Sequence, residues 1–125
     1  MPDVSVRCQP ELPVVRDRLL DVVQKSVAEH MSCWVPSKDE SGYEYYDMDP
    51  RNEIDVELGL INGRSAKKAL IVVEAYPYED RMSNLKERLA NIASDLAELY
   101  DLDSDDVSIT FRPVGFDCWT TGAGR

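Results

Sequence analysis

Pro2 follows the initiator Met1. Methionine is readily removed ahead of a small second residue, so the mature chain is expected to begin with proline. A terminal proline carries a secondary amine, a group no internal residue has. An α-amino group titrates at about 7.7–8.0 in unstructured peptides. Burial among apolar groups lowers that value, because desolvation disfavours charge. Such an amine can act as a general base near neutral pH, or stay protonated as a general acid. The alternative is a Met-Pro start with no chemical role.

Other residues can assist it. Tyr76 and Tyr78 flank Pro77 and can donate hydrogen bonds to a carbonyl or enolate oxygen, or simply pack around that proline. Arg7 and Arg112 fall on polar strand positions. They either supply a cation to a substrate carboxylate or pair with Glu74, Glu57 or Asp55. Arg81 and Lys38 fall in segments read as loops and can reach a pocket. His30 is the only histidine; it closes an apolar helical face with no Ser or Cys partner placed beside it, and reads as structural. Trp119 reads as an anchoring aromatic.

The elements that must position these groups come in two similar sets. Val4, Val6 and Cys8 alternate with Ser5 and Arg7, a strand. Pro13 suits the first turn of a helix whose face holds Val15, Leu19, Val22, Val23, Ser26, Val27 and His30. A polar stretch from Pro36 to Asn52, rich in tyrosine, reads as a loop that can cover a pocket. Ile54, Val56, Leu58 and Leu60 then alternate with polar residues, and Asn62-Gly63 marks a turn. The pattern recurs: a β-rich run from Ala69 to Tyr76, an amphipathic helix on Leu85, Leu89, Ile92, Leu96 and Leu99, an acidic turn from Asp101 to Asp106, and a strand on Val107, Ile109 and Phe111. The first strands of the two sets superpose in phase at an offset of 67 residues (Pro2 to Ala69).

The expected fold is α+β. Two pseudo-symmetric β-α-β units form a four-stranded mixed sheet, with both helices on one face. Residues 1–125 are expected to form one domain, with halves near 2–62 and 69–113 and a tail at 114–125. The other sheet face carries Ser5, Arg7, Asp55, Glu57, Val72, Glu74, Ser108, Thr110 and Arg112. With no third layer to cover it, burial in a cyclic oligomer is expected.

Bulk properties exclude several classes. Hydrophobic content of 43% and charge of 30% fit a soluble domain. No segment suits a membrane span or a signal peptide, so no membrane partner and a cytoplasmic location are expected. A net charge of −10 argues against nucleic acid as a partner and makes anionic substrates harder to attract. Cys8, Cys33 and Cys118 are odd in number and lack CxxC spacing, so neither a disulfide nor a zinc framework is expected. The acidic residues lack calcium-loop spacing, and no metal is expected.

Several short motifs, in order, make the chain resemble the tautomerase superfamily, especially its malonate semialdehyde decarboxylase branch. Beyond Pro2 and the doubled layout these are Gly63-Arg64-Ser65 before the third strand, Ala75-Tyr76-Pro77-Tyr78 after it, and Asp105-Asp106-Val107 opening the last one. Asp117-Cys118-Trp119-Thr120-Thr121-Gly122 follows in the tail. The resemblance implies a cofactor-free enzyme acting on a small keto or enol acid or related carbonyl compound, and a homotrimer with the terminal proline at a subunit boundary. Pro2 carries over as the acid–base group and Trp119 as a pocket wall. Glu53 falls near the position of the branch's catalytic aspartate. Tyr76 and Tyr78 stand where that branch has two arginines, and Ser108 where inhibitory-factor-like members have a tyrosine. These departures leave three activities open: keto–enol tautomerase, decarboxylase or hydratase, and a non-catalytic trimeric binding protein. The site set is therefore Pro2 and Glu53 as catalytic residues, with Tyr76, Tyr78, Arg112 and Trp119 around the substrate.

Overall fold

In the computed structural model the elements run β1 (Asp3–Cys8), α1 (Arg16–His30), β2 (Val35–Lys38), β3 (Glu44–Asp47), β4 (Asp55–Leu60), β5 (Ala69–Ala75), α2 (Glu79–Met82), α3 (Leu85–Leu99) and β6 (Val107–Pro113). The described residues are 2–31, 33, 35–47, 54–115, 118 and 122, with residues 35–37 and 44–47 described as backbone. Alternation decides the sheet. Val4, Val6 and Cys8 face inward and are at most 2% exposed, while Asp3 and Arg7 are exposed. The strand order is β4-β1-β5-β6. β1 pairs parallel with β4, and β5 parallel with β6, while β1 and β5 meet antiparallel at the centre. Parallel neighbours need a crossover, and α1 and α3 supply one in each half.

Both helices lie on the face that carries Val4, Val6, Ile71 and Val73. Leu19, Val23 and Val27 of α1 and Ile92 and Leu96 of α3 join those strand residues in one core. The inward alternation of β5 leaves Ala69, Ile71, Val73 and Ala75 at most 2% exposed, in the phase the repeat predicts. Burial pushes the Cys8 thiol up, so it stays a neutral core group.

One polar contact joins the helices. Ser26, buried on α1, donates its hydroxyl to Asp95 Oδ2 on α3 at 2.6 Å, and His30 Nε2 lies 3.4 Å from the same oxygen. His30 thus pairs across the helix interface, a structural role. Ser26→Ala removes a charge-assisted bond but leaves Asp95 partly solvated. We expect a loss of about 1 kcal/mol, read as a melting temperature lower by about 4 °C.

Two expectations are corrected. Pro13 and Val15 do not belong to the first helix. Leu12 O accepts Val14 N–H at 2.9 Å, a tight turn around Pro13 that delays the helix to Arg16, and Val15 is 63% exposed. The stretch from Pro36 to Asn52 is not a plain loop, because β2 and β3 pair as an antiparallel hairpin within it. Its turn is built by Asp39, whose Oδ1 accepts from Ser41 N, Ser41 Oγ and Tyr43 N, with Gly42 at φ 84°. Those bonds, the Ser41 hydroxyl first, hold the Asp39 carboxyl below its ordinary range. The hairpin lies in the connection between α1 and β4, which makes the first half the longer of the two.

Candidate functional site

Pro2 sits directly ahead of β1, the central strand. Its ring is fully buried, on the side that Val4 and Val6 share, and its carbonyl accepts the Asp55 N–H at 3.2 Å. The register sets its neighbours. Asp3 lies opposite Glu74 on β5 and beside Asp55 on β4, and Glu74 lies beside Arg112 on β6. The start of β1, the end of β5 and the end of β6 therefore share one edge of the sheet.

The chain leaving β5 brings two aromatic rings to that edge. Tyr76 and Tyr78 meet edge to face, with ring centroids 4.7 Å apart at 61°. Tyr78 N–H closes onto Tyr76 O at 2.9 Å around Pro77. Tyr76 is half-buried and Tyr78 is 48% exposed. Arg81 holds this segment from beneath. It is 4% exposed and lies in α2, not in a loop. Its Nε donates to Met31 O at 2.8 Å and an Nη donates to Tyr76 O at 3.0 Å, while the guanidinium lies 4.9 Å from the centre of the Tyr78 ring. So Arg81 is a structural clamp and not a pocket cation, a role invisible in sequence because its partner Met31 lies 50 residues away. Lys38 likewise belongs to a strand, β2.

Arg112 pairs with Glu74 Oε1 at 3.5 Å across the β5–β6 register, one of the pairings open to it from sequence. Arg7 lies against Gly59, and no ion pair engages it among the described residues. Glu53 and Trp119 lie outside the described residues. The structure thus brings Pro2, Tyr76, Tyr78 and Arg112 to one sheet edge.

On the face away from the helices, opposite the side on which the Pro2 ring is buried, is an open depression of about 500 Å³ lined by Asp3, Ser5, Asp55, Glu57, Val72 and Glu74. Sequence reading left Asp3 out of that face. Burial, then the charges of Asp55 and Glu74, push the Asp3 carboxyl up. An acid whose folded value is raised holds its proton more tightly in the fold than in the unfolded chain. Its penalty is absent below the unfolded value near 3.8 and grows as pH rises through the folded value. Asp3→Asn should therefore raise the melting temperature at pH 7, by an amount on the scale of screened surface charges, below about 1 kcal/mol. The gain should vanish as the pH falls below the unfolded value.

Among the described residues no group of three His, Cys, Asp or Glu side chains is arranged to hold a metal ion. No described helix is long and apolar enough to cross a membrane.

By sequence, no protein-family model and no curated protein matches this chain. By structure, it is similar to a fused 4-OT wild-type symmetric trimer at 14% identity and a TM-score of 0.68, over 98% of this chain and 94% of that one. It is also similar to a member of the cis-3-chloroacrylic acid dehalogenase family (12% identity, TM-score 0.63, 98% and 81% of the two chains). A macrophage migration inhibitory factor-like protein from Entamoeba histolytica matches at 9% identity and a TM-score of 0.62, over 96% and 94%. Two parallel strand pairs joined antiparallel at β1 and β5, each with its crossover helix, give this chain the fold of the tautomerase superfamily.

Proposed function

We propose that this protein is a cofactor-free enzyme that moves a proton on a small carbonyl compound, with Pro2, freed by removal of Met1, as the acid–base group. The observation that carries the reading is the position of Pro2. A fully buried proline opens the central strand at the end of the sheet where Tyr76 and Tyr78 leave β5 and where Arg112 pairs with Glu74. Burial there lowers the affinity of its amine for a proton, and the carboxylates of Asp3, Asp55 and Glu74 oppose that shift. Tyr76 and Tyr78 supply neutral donors for an oxygen that gains charge in the transition state. Trp119 completes the wall and Glu53 positions water in this reading.

The enzyme acts as a homotrimer in the same proposal. The sheet face that no described residue outside the sheet covers supports this, and so does the trimeric state of the fused 4-OT neighbours. Cys8, Cys33 and Cys118 are all free thiols, which supports a cytoplasmic site of action.

Ketonisation of an aryl enolpyruvate, followed by ultraviolet absorbance in wild type and Pro2→Ala, tests the mechanism. Turnover lost in the variant supports it, and equal turnover in both discards it. The substitution of tyrosines for the decarboxylase branch's arginines favours a second reading, a trimeric binding protein without catalysis. An intact mass that retains Met1 would select that reading, because Met1 blocks the amine.

A further inference from the structure

We propose that Arg81 is a positioning residue for the reaction: its buried guanidinium favours the neutral, proton-accepting form of the Pro2 amine. This rests on the reading of Pro2 as the reacting amine and adds a residue that acts through it. The observation is a buried charge without a counter-ion. Arg81 is 4% exposed, and an arginine does not shed its charge inside a protein. Buried charges ordinarily meet an opposite one. Among the described residues no carboxylate pairs with Arg81. Its contacts are Met31 O, Tyr76 O, the Cys33 sulfur at 3.8 Å and the Tyr78 ring. Such partners hold the cation in place but leave a net positive charge in the core.

The register places that charge near Pro2. Asp3 pairs with Glu74, so the antiparallel ladder sets Pro2 opposite Ala75, and Tyr76 follows directly. The guanidinium lies 3.0 Å from Tyr76 O. One strand spacing and one hydrogen bond put it on the order of 10 Å from the amine. It is also on the same side of the sheet. The Pro2 ring is buried on the side of Val4, and Met31 and Cys33, which Arg81 holds, belong to the core on that side. A protein interior screens charge less than water does, so the guanidinium acts on the amine at this range. The other ionisable groups at this end point elsewhere. Asp3, Asp55, Glu74 and Arg112 alternate to the opposite face of the sheet. On α1, His30 faces Asp95 of α3 at 3.4 Å, and Arg88 of α3 donates to His30 O. Glu79 and Asp80, which share α2 with Arg81, are exposed, as are Lys86 and Glu87 at the start of α3.

The test compares Arg81→Lys with Arg81→Gln. Each keeps a donor for one carbonyl, and they differ in charge, which separates the field from the clamp. Charges that neighbouring copies bring to the site are common to wild type and variants and cancel in the difference. The protein carries 15N-labelled proline. Of its seven prolines only the terminal one, once Met1 is removed, has an amine that titrates, so its resonance is followed against pH without any substrate. Sucrose in every sample favours the folded state and allows the neutral variant to be titrated. We expect the amine to titrate about half a pH unit or more higher in Arg81→Gln, and within about 0.2 pH unit of wild type in Arg81→Lys. The pH profile of kcat/KM for enol ketonisation should move with it in Arg81→Gln and stay in place in Arg81→Lys. Unchanged titration in Arg81→Gln, or equal shifts in the two variants, would overturn the proposal, because Arg81 would then act only as a clamp. An unshifted titration with turnover lost in Pro2→Ala would keep the reading of Pro2 and overturn the role of Arg81. A shifted titration with equal turnover in wild type and Pro2→Ala would remove Pro2 from the mechanism, and Arg81 as its positioning residue, while the coupling of the two charges would stand.

Discussion

Pro2→Ala is expected to lower kcat/KM for enol ketonisation by about 10²–10⁴-fold, the range that one positioned acid–base group contributes. Alanine is also small enough for Met1 to be removed, so the variant keeps a terminal amine. What it loses is the secondary amine and the ring that fixes it. The loss should therefore fall toward the lower end of the range, and a form that retains Met1 ahead of an unchanged Pro2 should be the more severely impaired. Folding should survive. The buried ring contributes roughly two methylenes of apolar contact, on the order of 1.5 kcal/mol, and β1 keeps Val4, Val6 and Cys8 in the core. The pH dependence separates the two roles open to the amine. A general base gives kcat/KM that rises with pH through the amine's titration, and a general acid gives the opposite limb. A pH profile unchanged between wild type and Pro2→Ala would place the titrating group elsewhere.

Most of the sheet is legible in local pattern. Val4, Val6 and Cys8 in one strand and Ile71, Val73 and Ala75 in the other reveal both the strands and their repeat, because a two-residue period is written in neighbours. The same holds for Leu96 and Ile92 on α3. What escaped depends on partners far along the chain or on turn chemistry passed over. The hairpin of β2 and β3 was announced by the four-residue turn from Asp39 to Gly42, which caps itself between β-prone tyrosines and Val35. Reading the stretch by its polarity hid that signal. The pairing of His30 with Asp95 and of Arg112 with Glu74 depends on packing and register, which a sequence leaves with several solutions. The carboxylate cluster at the start of β1 is of this kind too. Asp3, Asp55 and Glu74 become neighbours only when β1 takes β4 on one side and β5 on the other.

Arg81 is the clearest case of a residue whose role exists only in three dimensions, and its replacement is expected to have the largest effect on stability. The C-terminal carbonyls of α1 have no intrahelical partners and need donors. Arg88 supplies one to His30 O at 2.8 Å, and Arg81 supplies another to Met31 O at 2.8 Å. Met31 is wholly buried, so water is a poor substitute there. The same Arg81 guanidinium holds Tyr76 O and lies under the Tyr78 ring, so a single side chain ties the exit of α1 to the exit of β5. Arg81→Met keeps much of the volume and removes every donor. Each charge-assisted bond to a carbonyl is worth roughly 1.5–3 kcal/mol, and two are lost together with a weaker one to Cys33 Sγ, against a gain from an apolar side chain in a buried position. We expect a net loss of about 3 kcal/mol, or about 10 °C in melting temperature for a chain of this size, measured by thermal and urea denaturation. Arg81→Lys should recover part of it, because an ammonium can reach one carbonyl but cannot span both. If Arg81→Met cost less than about 1 kcal/mol, water would have to reach Met31 O, and the exit of α1 would be more open than its burial indicates. The clamp also predicts a kinetic signature in an active enzyme. With Arg81→Lys still folded, loss of the Tyr76 and Tyr78 geometry should raise KM more than it lowers kcat, since in the proposed mechanism the tyrosines bind the substrate oxygen while Pro2 moves the proton.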